Sequence, residues 1–270
     1  MTSGLQNVID VGDGLVQVDT SGGGPDFVII HSLLTGPEAF DGVASSLADT
    51  LTVHRVFLPG FGASTPLPGN DLTVPDLARV VASTMSRLGC GPDTTVLGNG
   101  LGSFVALALA LDHGNRFTRL IASNTGPGFP DDRKGAFTNM SNLAESGGMP
   151  AVADVAIQRI FPPSYLEAHP EAPGERRAVL EKIDPQAFAS ACRALAVLDL
   201  SGVLPAIENP TLVIAGEIDQ TTPPDLGREV AAAIPNSRFV EIPGCGHCPQ
   251  LERPEALLRA IGQFLAETAR

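Results

Sequence analysis

The chain has 270 residues, a formal charge of −13, 43% hydrophobic residues and 17% charged ones, which is the composition of a globular protein with a full core rather than of a disordered chain. No Lys/Arg cluster offers a phosphate-tracking face, so nucleic acid is not an expected partner. No apolar run reaches the roughly 18 residues of a membrane span. The opening stretch Met1–Leu15 lacks the basic and apolar regions of a secretory signal, and Cys90, Cys192, Cys245 and Cys248 then read as reduced thiols of a cytoplasmic protein.

Apolar runs alternate with helical patterns along the chain, which predicts βαβ units and a mostly parallel sheet with helices on both faces. A hairpin-like start over residues 5–19 breaks at Ser21-Gly22-Gly23-Gly24-Pro25. Phe27–Ile30 reads as a buried strand, and a helix is expected from Pro37. The strand Leu51–Phe57 ends at Pro59-Gly60-Phe61-Gly62. Over residues 73–89, Leu77, Val80, Val81 and Met85 share one helical face. The strand Thr94–Leu97 meets the helix Ser103–Leu111 through a sharp turn, and the strand Leu120–Ser123 follows. Residues 131–206 interrupt the alternation with short helical segments and Pro/Gly breaks. They are expected to form a helical cap inserted into a core made of residues 1–130 and 207–270. The strands Thr211–Ala215 and Arg238–Ile242, with helices from about Pro224 and Glu255, complete the pattern.

Four segments fall in a telling order. His31-Ser32-Leu33-Leu34-Thr35 follows an early strand. Leu97-Gly98-Asn99-Gly100-Leu101-Gly102 joins a strand to a helix. Ala215-Gly216-Glu217-Ile218-Asp219 ends a late strand, and Gly244-Cys245-Gly246-His247 ends the last one. Together they resemble the α/β-hydrolase family over essentially the whole chain. The second segment matches that family's G-x-S-x-G elbow with glycine in the central place. The resemblance implies Asp219 as the acid, His247 as the base, Gly100 at the nucleophile position, and Leu33 and Leu101 as backbone oxyanion donors; the Ser32 hydroxyl reads as a third donor rather than as an attacker.

Within that family the chain is most similar to the 3-oxoadipate enol-lactonase group, on His31–Thr35, Gly148–Asp154, Asp184–Cys192 and Pro210–Gly216. This implies a small, carboxylated substrate beneath the cap. Arg159 is the candidate carboxylate clamp, because guanidinium and carboxylate match as a fork; the other reading is a solvated cap arginine. His31, Asn99 and Cys248 are further candidates for lining the substrate site; for His31 the other and commoner reading is a strand-end histidine bonded to backbone. The chain departs from the group at His31, Leu34 and Gly100.

Glycine keeps the elbow's backbone turn but removes the attacking oxygen. The expected activity is therefore hydrolysis of an ester, lactone or C–C bond by general-base action of the Asp219–His247 pair, with a water lodged in the space over Gly100. Two alternatives stand beside it: a ligand-binding homologue without catalysis, and a Ser→Gly substrate-trapping form of an enol-lactonase-like esterase. Ser103, three helical residues on, faces packing. Cys245 and Cys248 lack a second Cys/His pair for a metal. The Gly98–Gly102 run lacks dinucleotide-binding spacing. No metal or organic cofactor is expected. A small molecule is the expected partner, with a homodimer as the candidate assembly.

Overall fold

The computed structural model describes residues 5–69 and 72–269. Residues 1–4 of the N-terminal stretch considered above lie outside the described residues. The elements run β1 (Leu5–Asp10), β2 (Leu15–Gly22), β3 (Asp26–Ile30), α1 (Asp41–Leu47), β4 (Thr52–Val56), α2 (Val74–Leu88), β5 (Thr95–Asn99), α3 (Leu101–His113) and β6 (Arg119–Ser123). There follow α4 (Asp131–Ile160), α5 (Pro163–Ala168), α6 (Ala172–Leu180), α7 (Pro185–Val197), β7 (Thr211–Gly216), α8 (Pro224–Ala233), β8 (Ser237–Ile242), α9 (Pro249–Glu252) and α10 (Pro254–Glu267).

One eight-stranded sheet has the order β1-β2-β4-β3-β5-β6-β7-β8. β1 and β2 pair antiparallel, and β2 pairs antiparallel with β4. From β4 to β8 every pairing is parallel. The central strands are apolar on both sides, as a sheet covered on both faces requires. Phe27, Ile29, Leu97, Ile121, Leu212 and Ile214 pack towards α1 and α10. Val28, Ile30, Val96, Leu120 and Val213 alternate with them and pack towards α2, α3 and α8.

α2 shows why its boundaries were readable. Thr73 and Asp76 form a reciprocal capping box, and Gly89 closes the helix at φ 75°. Leu77, Val80, Val81 and Met85 are buried. Two expectations shift. The chain from Pro37 first makes a 3-10 turn, Pro37–Phe40, before α1. The central helix starts at Leu101, directly after Gly100, because the turn there is a single residue long. Residues 131–206 hold α4–α7, with α4 bent at Gly148 (φ 67°). Among the described residues no helix is long and apolar enough to cross a membrane.

β3, β5 and α3 approach so closely that Gly102 touches the Ile30 carbonyl: a Cβ there would overlap that oxygen. Gly102→Ala is expected to lower the unfolding free energy by about 1–3 kcal/mol, the usual cost of forced overpacking, seen as a lower urea midpoint at unchanged slope. An unchanged midpoint would contradict this reading of the contact.

Candidate active site

The C-terminal ends of β3, β5, β6, β7 and β8 converge on Gly100. That residue has φ 54° and ψ −121° and is the N-cap of α3. Such a backbone suits glycine and strains other residues. The conformation is held by the Gly100 N–H donating to the Ser123 carbonyl (3.1 Å). Ser103 Oγ donates to the Gly100 carbonyl at 2.7 Å, so this hydroxyl is spent on the helix start.

The loop after β7 carries Asp219 and the loop after β8 carries His247. Asp219 Oδ2 accepts from His247 Nδ1–H at 2.8 Å, from Asn124 Nδ2 at 2.8 Å and from the Thr222 hydroxyl at 2.7 Å. Its Oδ1 accepts from the Thr221 and Thr222 amides at 2.8 and 3.2 Å. Burial alone would raise this carboxyl, but the adjacent imidazole and these donors outweigh burial and hold it below its ordinary value. An ionised carboxylate only accepts, so Nδ1 carries a proton, and in the neutral imidazole the lone pair is then on Nε2. Nε2 faces Gly100, 2.9 Å from the place where a Cβ on that residue would stand.

The sequence suggested a space the size of a water over Gly100. A space of about 20 Å³, enough for one water, does lie over Gly100, and the Ser32 hydroxyl borders it so closely that a carbon built on Gly100 would overlap Ser32 Oγ. Both expected oxyanion donors border the same cavity, and neither the Leu33 nor the Leu101 N–H is spent on a protein acceptor among the described residues.

Of the two readings of His31, the structure favours the histidine bonded to backbone over the one lining the substrate site: the residue is wholly buried, with both ring nitrogens used. Leu58 N–H donates to Nε2 at 3.0 Å, and Nδ1–H donates to the Ser32 carbonyl at 2.8 Å. In a trans peptide the C=O and the following N–H point in opposite directions. Anchoring the Ser32 carbonyl therefore turns the Leu33 N–H the other way. His31 is a positioning residue. Burial pushes its imidazole down to about 4, the bond to Ser32 only partly opposing this.

Asn99 also turns away from the substrate side. Its amide donates to the His247 carbonyl (3.3 Å) and its oxygen accepts from Gln250 (3.1 Å). Cys248 packs in the core with no exposure, and burial pushes its thiol well above the ordinary range, so it neither lines the cavity nor offers a thiolate.

Arg159, from the second half of α4, borders two spaces. One is the small inner cavity of about 20 Å³ over Gly100, lined also by Ser32, Leu33, Leu101, Phe137 and His247. The other is an outer cleft of about 510 Å³, walled by Phe161, Ile218 and Gln220 among others, that meets the inner cavity at Arg159 and His247. The Arg159 Nε is buried without a hydrogen-bond partner. Phe137 lies beneath the guanidinium at 5.9 Å.

Two positioning residues escaped the sequence reading. Asn124, just past β6, takes φ 53° and bridges Asp219 to the Gly246 carbonyl (3.2 Å). Its one available signal is a residue type tolerant of positive φ at a strand end. Glu252 accepts from Gly246 N–H at 2.7 Å and Cys248 N–H at 2.9 Å, clamping the backbone on both sides of His247. A proline opening α9, with an acid one turn on, was its faint signal. Among the described residues, Asp26, His54 and Cys90 form one His/Cys/Asp group whose ligand atoms lie within 4.8 Å. His54 is already bonded there to Asp26 (3.0 Å) and Thr20 (3.0 Å). The group sits at the starts of β3 and β4, away from Asp219 and His247.

The fold and the meeting of the Gly100 turn with Asp219 and His247 match a known class: the chain belongs to the alpha/beta hydrolase family, whose profile matches residues 27–260. It is 29% identical over 265 residues to the pimeloyl-acyl-carrier-protein methyl ester esterase of Nitrosomonas europaea, covering 89% of this chain and 95% of that protein. It is 28% identical over 237 residues to 3-oxoadipate enol-lactonase 2 of Acinetobacter baylyi, covering 88% and 87%. Among solved structures it is similar to the enol-lactonase of Burkholderia xenovorans LB400, with a TM-score of 0.90 at 28% identity over 96% of this chain and 100% of that one.

His31 generates a pH prediction. Its ordinary value is 6.5 and its folded value about 4. Between these the unfolded chain binds more protons, so the stability His31 contributes is complete above pH 6.5 and is lost as pH falls towards 4. The loss amounts to about 3 kcal/mol. Urea unfolding at pH 7, 5.5 and 4 should show a steeper decline in wild type than in His31→Asn. Parallel declines would contradict the buried neutral imidazole.

Proposed function

We propose that the protein is a small-molecule ester or lactone hydrolase driven by the Asp219–His247 base, with no side-chain nucleophile at residue 100. The observation that carries this reading is the ordered imidazole, whose free Nε2 faces the Gly100 turn between two uncommitted backbone N–H groups. Asp219 holds the tautomer at 2.8 Å. Nε2 takes a proton as an oxygen attacks the carbonyl. The Leu33 and Leu101 amides, the latter at the N-terminus of α3, receive the charge that builds on the carbonyl oxygen. The imidazolium then protonates the leaving oxygen. That relatives over most of the chain are named esterases and enol-lactonases supports the reaction class.

In this reading α4–α7 act as a cap, and the outer cleft takes the substrate. Arg159 is then the clamp for an anionic group, since its buried Nε awaits an acceptor. A carboxylated acyl ester or lactone fits both features.

With p-nitrophenyl esters of short acids, His247→Ala should lower kcat/KM by at least roughly 100-fold, the lower range of general-base contributions. An unchanged rate would overturn the proposal. Arg159→Met should raise KM roughly 10- to 100-fold for an ester whose acyl chain ends in a carboxylate, with little change for its neutral counterpart, as expected from losing a charge-assisted hydrogen bond. Equal effects on both esters would remove the clamp.

A further inference from the structure

We propose that Ser32 Oγ is the attacking oxygen, standing where the side chain of residue 100 would be. The inference rests on the hydrolase reading and names the atom that His247 deprotonates. A carbon on Gly100 would overlap Ser32 Oγ, lie 3.0 Å from Ser32 Cβ and lie 2.9 Å from His247 Nε2. Hydroxyl and imidazole therefore close on one point from two loops. The loops are fixed independently, one by the His31–Ser32 carbonyl bond (2.8 Å), the other by Glu252 on the amides flanking His247.

The neighbouring serines are committed elsewhere. Ser103 donates to the Gly100 carbonyl at 2.7 Å, and Ser123 donates to Asn124 Oδ1 at 2.8 Å. Ser32 Oγ makes no hydrogen bond with the described residues, and Ser32 lines the inner cavity while only 1% exposed. Its follower, Leu33, carries one of the two uncommitted amides. An attacker followed directly by an oxyanion donor is thereby recreated on the β3 loop. The second donor, Leu101, faces the same cavity from α3.

In the first half-reaction Ser32 Oγ bonds to the carbonyl carbon as His247 Nε2 takes the hydroxyl proton. The carbonyl π pair moves to the oxygen held by the two amides. Collapse breaks the bond to the leaving oxygen, which receives the proton from His247, and the acyl group stays on Ser32. Water then attacks the acyl carbon and gives its proton to His247. The bond to Ser32 Oγ breaks, and the proton returns to that oxygen. One ester and one water yield one acid and one alcohol, or one hydroxy acid from a lactone.

The test treats the wild-type protein with a fluorophosphonate and maps the adduct by peptide mass spectrometry. The expected result is one phosphonyl group per chain, on the peptide containing Ser32, with fluoride displaced. The adduct should be absent in Ser32→Ala and form roughly 100-fold more slowly in His247→Ala. No adduct, or an adduct on another residue, would overturn the assignment. p-Nitrophenyl acetate turnover separates the two claims. If Ser32→Ala keeps the wild-type rate while His247→Ala loses it, the base reading stands and the Ser32 assignment falls. If Ser32 is labelled but no ester is turned over, the reactive hydroxyl is upheld and the hydrolase reading falls.

Discussion

The organisation of this site depends on the absence of a side chain at residue 100. The backbone there, at φ 54° and ψ −121°, turns from β5 into α3 within one residue. Because no Cβ projects from the turn, Ser32 and His247 come into the place it would fill. The start of α3 is aimed at the same point, and with it the Leu101 amide and the positive end of the helix dipole. The close approach of α3 to β3, made possible at Gly102, sets the depth at which the Ser32 loop meets the elbow.

Around this point the buried polar groups divide into two sets. The first set is committed to protein partners. Asp219 collects donors from Asn124, Thr221, Thr222 and His247, Asn99 and Glu252 hold the base loop, and His31 orients the Ser32–Leu33 peptide. A buried group that is fully hydrogen-bonded stays in place, so this set works as scaffold. The second set is uncommitted: Ser32 Oγ, the Leu33 and Leu101 amides, His247 Nε2 and Arg159 Nε. All belong to residues bordering the inner cavity, where a substrate would supply the missing partners. In the proposed function the small volume over Gly100 takes the reacting carbonyl, and the larger outer cleft takes the rest of the substrate.

The alternation of apolar runs and helical faces made the sheet and most elements legible, because both periodicities are local. The order of the elbow, acid and base loops was equally legible, since each ends a strand. The roles of Asn99 and Cys248 were not, and the sequence left His31 with two readings. At a strand end the side-chain direction is set by what the neighbouring loops offer, and each of these residues found a partner far along the chain or a place in the core. Asn124 and Glu252 were hidden for a related reason. Asn124 bonds a backbone oxygen of residue 246, and Glu252 binds amides of a loop whose path only the folded sheet defines. The approach of the Ser32 hydroxyl to Gly100 is likewise a packing fact, one that composition and spacing cannot carry.

The Asp219 carboxylate orders the imidazole through its bond to Nδ1, and the direct test of that role is kcat/KM of Asp219→Asn on an activated ester. Amide and carboxylate have nearly the same shape, so the site should persist while Nδ1 loses its acceptor and the wrong ring nitrogen carries the proton. The predicted result is a fall on the order of 10³–10⁴-fold in a variant that still unfolds cooperatively, comparable to the same substitution in serine proteases. A variant that hydrolyses the ester at the wild-type rate would contradict the claim that an oriented His247 drives the chemistry.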